Sequence, residues 1–168
     1  MQLSLVISTF SKELKLLITA FLVVLSIGFY SGLFFVNTNA EMTVKGIQEN
    51  YLGNEDNENA TIMKFKKSER EMLTIVHSHI LSMAMIFFFV GLLLLTTSLN
   101  SKIKLFLIIE PFISVILTFG GIYFLWKGVL FMKYIVIFSG MLMTLTYTVS
   151  VFVILRQLFS SKNIVSTN

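Results

Sequence analysis

Apolar residues fall in four long runs, at about 14–36, 72–99, 105–126 and 134–155. A helix that crosses a bilayer needs ~20 mostly apolar residues, and each run supplies them. Runs that are apolar all round have no water-facing side, so each predicts a transmembrane helix. Only Asn-Ser-Lys-Ile-Lys separates the second run from the third, and Lys-Gly-Val-Leu-Phe-Met-Lys the third from the fourth. Short links make neighbouring helices antiparallel. The expected fold is therefore an all-α integral membrane protein. It is an antiparallel four-helix transmembrane bundle forming one domain over residues 1–168.

The first connection, residues 37–71, breaks the pattern. It is rich in Asn, Glu, Gly and Lys and predicts a polar extramembrane loop. Its Asn-Glu-Asp-Asn-Glu-Asn-Ala-Thr tip reads as solvated and acidic, and Asn59-Ala60-Thr61 matches a short glycosylation pattern. Gly53-Asn54 is a turn signal. Beside it, Ile47, Tyr51 and Leu52 offer apolar contacts, so Gly46 to Glu55 is expected to form a small cap on the membrane surface. Ser68-Glu69-Arg70-Glu71 matches a capping box, which starts the second helix ahead of its apolar run.

Composition agrees with the membrane reading. The chain is 55% hydrophobic and 13% charged, with a mean hydropathy of +0.84, whereas soluble domains are about 25% charged. The net charge of +4 is scattered, without a block of like charges, so no nucleic-acid surface is expected. With no cysteine, disulfides and thiolate chemistry are excluded. No phosphate-binding glycine loop, Ser-His-acid set or His-Glu-x-x-His motif is present, and no enzyme activity is expected. The first apolar run exceeds a signal-peptide core of about 7–15 residues and is read as a retained span. Cytosolic termini would leave Lys12, Lys15, Lys102, Lys104, Arg156 and Lys162 inside and seven basic residues outside. The positive-inside count does not decide between orientations. The long acidic-tipped loop favours both termini in the cytosol.

Ionisable residues within the spans are the candidate chemistry. His77 and His79, the only histidines, lie in the second run, His77 about 13 Å beyond the capping box. Residues two apart on a helix point about 200° apart, so the two rings cannot chelate one ion as an intact pair. At matching depth the fourth run offers Met141 and Met143. Imidazole with thioether suits haem b iron, and imidazole suits copper or zinc. Met is equally a gap-filler in apolar cores, and a histidine near the boundary can serve helix contacts. In the third run, Glu110, Ser114, Thr118 and Gly121 share one helical face, expected to turn inward. Pro111 either lies within that helix, removing one bond beside Glu110, or begins it. Small residues at four-residue spacing recur as Gly28/Gly32, Thr74/Ser78/Ser82 and Gly140/Thr144/Thr148. They are read first as helix-packing faces.

Gly53-Asn54-Glu55, Lys67-Ser68, Glu71, His77 and His79 together resemble a family of small four-span bacterial inner-membrane proteins. The likeness covers roughly the first 100 residues. It implies a bacterial cytoplasmic-membrane location and treats loop and histidines as one unit, but it names no activity. The resulting expectation is a non-enzymatic accessory membrane protein whose polar loop folds over the outer mouth near His77 and His79. It would hold haem or a transition metal there. The alternatives are a structural or assembly subunit, as a homodimer or with a membrane-protein partner, and a small carrier using Glu110 as a proton site.

Overall fold

The computed structural model describes residues 6–40, 43–55, 57 and 60–160. Asp56, Glu58 and Asn59, and with them part of the acidic tip and the glycosylation pattern's asparagine, lie outside the described residues, as does Lys162. The described chain is helical, with no strand. A single turn at Ile7–Thr9 precedes α1 (Lys12–Ala40), α2 (Val44–Leu52) and α3 (Glu69–Leu95). Then come α4 (Ser101–Val115), a π-helical turn at Ile116–Gly120, α5 (Gly121–Trp126) and α6 (Met132–Leu158). Four stretches are long and apolar enough to cross a membrane: Lys12–Thr38, Glu69–Leu95, Ser101–Trp126 and Met132–Leu158. The chain is a multi-pass membrane protein. The second helix ends at Leu95, not Leu99, because Thr96 and Thr97 turn their amides and hydroxyls back onto the Leu93 and Leu94 carbonyls.

The two ends of the bundle are closed differently. At the terminal end, the Ile7 amide bonds the Thr96 carbonyl at 3.0 Å and the Ser98 amide bonds Gln157 Oε1 at 2.7 Å. Lys104 Nζ donates to the Leu95 and Thr97 carbonyls at 3.3 and 2.6 Å. A cation there meets the negative end of the α3 dipole and fills acceptors that the helix leaves open.

At the other end, α2 and its exit turn form the cap. Thr43 caps α2 by accepting from the Gly46 amide at 2.9 Å. Gly53 ends it at φ 84°, ψ 176°, a region open essentially to glycine alone. Asn54 then holds the returning chain. Its amide bonds the Lys64 carbonyl at 2.9 Å, its Oδ1 accepts from the Lys64 amide at 2.7 Å, and its Nδ2 donates to the Ile62 carbonyl at 3.0 Å. The Lys67 amide bonds the Tyr51 carbonyl at 3.3 Å. Trp126 Nε1 donates to the Lys67 carbonyl at 2.7 Å, which pins the loop to the end of α5. Trp126 ends the third span, and the Lys66 and Lys127 ammonium groups lie over it. Burial pushes the Tyr51 phenol up from its ordinary value. Ser68 and Glu71 form the expected capping box at the start of α3.

The spans are unequally packed. Half of the α4–α5 span is buried, against 17% of α1. From Gly28 to Thr38 every residue but Phe29 and Leu33 is exposed. Helix α1 is attached to α6 through the stack of Phe29 on Tyr147, centroids 4.0 Å apart, and two hydroxyl pairs. These are Ser26–Tyr147 at 3.0 Å and Tyr30–Thr148 at 2.7 Å.

A Cβ on Gly53 would lie 2.7 Å from the Lys66 amide nitrogen. Gly53→Ala should therefore cost the cap roughly 1–3 kcal/mol. Hydrogen exchange should rise across residues 53–67 while α4 and α6 stay protected. Unchanged protection of the cap would contradict this account.

Candidate functional site

The deepest polar chemistry lies between α4 and α6. Among the described residues the buried polar side chains are Thr97, Glu110, Ser114, Thr118, Ser139, Thr146 and Ser150. All but Thr97 sit on the facing sides of these two helices or of the π-helical turn between α4 and α5. Pro111 lies inside α4 and does not begin it, because the helix starts at Asn100, whose side chain accepts from the Lys102 amide. That places Glu110 well within the span and 94% out of contact with the surroundings, at 6% exposure.

Ser114 Oγ donates to Glu110 Oε1. Thr146 Oγ1, from α6, donates to Glu110 Oε2 at 2.6 Å. Further towards the cap, the Thr118 and Ser139 hydroxyls meet at 2.7 Å. The missing amide of Pro111 removes the helix bond to the Leu107 carbonyl, and the π-helical turn follows within the next few residues. Turns of this kind concentrate at functional sites. Gly121 then allows α5 to approach α6, since a Cβ there would lie 2.9 Å from a Val136 methyl. Beside the seam a groove of about 470 Å³ is lined by Glu110, Ser114 and Ser139, with Phe106, Ile109 and Phe138 among its apolar walls and Lys102 at its rim.

The histidines lie elsewhere. His77 is exposed on the outward face of α3. His79 is also exposed, with its ring 4.8 Å from Phe119 of the π-helical turn. His79 Nδ1 is 2.8 Å from the Ile75 carbonyl. A carbonyl only accepts, so Nδ1 carries the hydrogen of that bond, and in the neutral ring the lone pair is on Nε2. Met141 points outward and Met143 is buried. No hydrogen bond links any of these four residues to another, and no cluster of three or more His, Asp or Glu side chains suited to a metal occurs among the described residues. The cap packs against α1, α5 and α6. Trp126 and the Lys133–Gln48 bond of 2.8 Å hold the cap to the α5–α6 end.

The small-residue faces also divide. Glu110, Ser114, Thr118 and Gly121 are buried. Thr74, Ser78 and Ser82 face outward, each hydroxyl bonded to the carbonyl four residues earlier. Gly28, Gly32 and Gly140 have open space where a Cβ would be.

Residues 41–164 match the model of a family described as a transmembrane helical domain, Aq_1264_TM. The chain belongs to this family. The Aq_1264_TM match takes in the cap, the seam and α3 to α6, and α1 precedes it. No curated protein and no solved structure matches the chain. The polar seam is thus part of the Aq_1264_TM domain, whereas the loosely packed α1 is joined to it from outside the match.

Hydroxyl pairs between membrane helices contribute about 0.6 kcal/mol on average. A double-mutant cycle of Thr118→Val and Ser139→Ala, measured by unfolding in detergent micelles, should return a coupling of about that size. Strictly additive effects would mean that the two hydroxyls do not bond.

Proposed function

We propose that the chain is a non-enzymatic accessory protein of a bacterial cytoplasmic membrane, with its termini in the cytosol and its cap outside. It works by lateral association with a transmembrane helix of a partner membrane protein. The observation that carries this reading is the outward face of α3, where Thr74, His77, Ser78 and Ser82 lie together in the cap half of the helix. Lipid chains cannot bond an imidazole, and ionisable side chains at that depth normally face protein or water. Small hydroxyl residues allow a second helix to approach closely, and the hydroxyls already bonded to their own helix leave a smooth surface. The open Gly28 and Gly32 on α1 offer a second close-approach face.

A photo-cross-linking residue at Ser78 should yield one adduct of defined mass in native membranes. The same residue at Phe138, which is exposed on α6, should yield none. Equal labelling at both positions, or none at either, would sink the association reading.

A second reading, haem or transition-metal binding, is favoured by the His79 geometry alone. The Nδ1 bond to Ile75 orients the ring and leaves Nε2 as a ligand, the arrangement by which backbone carbonyls fix metal-binding histidines. Protein purified after expression with haem and metals supplied should then show a Soret band or bound metal. His79→Ala should abolish it and His77→Ala should retain it. A colourless, metal-free wild-type preparation would remove this reading.

A further inference from the structure

Glu110 plays no part in lateral association, and its surroundings are unusual for a buried acid. The ion pairs among the described residues, Lys45–Glu49 and Lys127–Glu69, do not include it. Lys102 stands at the rim of the groove. Lys104 is spent on the Leu95 and Thr97 carbonyls. On α6 the neighbouring Tyr147 turns its hydroxyl to Ser26, and α3 brings no ionisable group into the groove lining.

The hydrogens can be counted. Thr146 has one hydroxyl hydrogen and three acceptors in reach: Glu110 Oε2 at 2.6 Å, the Leu142 carbonyl at 2.9 Å and the Met143 carbonyl at 3.0 Å. With the carboxylate ionised, Ser114 donates to Oε1 and Thr146 to Oε2. With a proton on Oε2, the new O–H donates to Thr146 Oγ1, and Thr146 turns its own hydrogen to the Leu142 carbonyl. The Ser114 bond is the same in both states. Every polar group is satisfied either way, and only a hydroxyl rotates. A purely structural acid would need one of these arrangements, not both.

We propose that Glu110 is a reversible proton-binding site, with Thr146 as the hydroxyl that switches between its two states. On uptake, a hydronium ion gives its proton to Oε2 and leaves as water, and the cluster passes from one negative charge to none. Release reverses this, and nothing else is consumed. Glu110 and Ser114 line the groove together with Ser139, the next hydroxyl along the seam, and Lys102 stands at its rim.

The test uses the full chain in lipid vesicles and infrared difference spectra between acid and alkaline pH. The wild type should show a carboxylic-acid carbonyl band that grows on acidification. Glu110→Gln should lose that band and still fold. Its amide oxygen accepts from Ser114 and its NH2 donates to Thr146, as the protonated acid does. Thr146→Val should keep the band but shift it, because the acid loses its acceptor. Identical pH-difference spectra for wild type and Glu110→Gln would overturn the proposal. So would a Glu110 band that stays constant across the pH range. An unshifted band in Thr146→Val would remove the switching role.

Discussion

Hydrocarbon accepts and donates no hydrogen bonds, and the arrangement of this protein follows from that constraint. A backbone in lipid must satisfy itself, which leaves helices as the only element for the four apolar runs. Side chains obey the same rule less strictly. The hydroxyls on α3 bond their own helix and can be left outside. A carboxyl cannot donate to its own helix carbonyls when ionised, so Glu110 takes one hydroxyl from its own helix, Ser114, and a second from α6, Thr146. The best-packed span is the one that carries this acid, against α6. The least-packed, α1, carries no ionisable residue at its centre and is attached at a few points only.

The cap depends on different physics, because its backbone is in reach of water. Gly53 reverses the chain where a side chain would strike the Lys66 amide. Asn54 then replaces a missing strand partner by bonding both sides of the returning segment. The indole of Trp126 joins this unit to the bundle by its N–H and accepts lysine ammonium groups on its face. Two kinds of chemistry that look alike in composition, polar loop and polar seam, therefore do separate things. One closes an end and the other occupies the middle.

Much of this was legible in the chain. Length and hydropathy locate the spans, Ser68 and Glu71 announce the start of α3, and the four- and three-residue spacings from Glu110 to Gly121 define a single face. What spacing does not reveal is which face a neighbour covers. Thr74, Ser78 and Ser82 repeat as regularly as Glu110, Ser114 and Thr118, yet one set turns out and the other in. The difference is made by partners distant in sequence, Ser139 and Thr146. The anchor of the cap is hidden for a similar reason. Trp126 supplies it, and an indole at the end of an apolar run gives no sign in sequence of which carbonyl it will bond.

The corner between α3 and α4 has a consequence for how the chain is made. Lys104 reaches carbonyls only seven and nine positions earlier, at Thr97 and Leu95. Contacts that close over so few residues form early. Lys104 thus closes the corner between α3 and α4 through local contacts, whereas the Glu110 contact with Thr146 spans 36 positions and needs α6 in place.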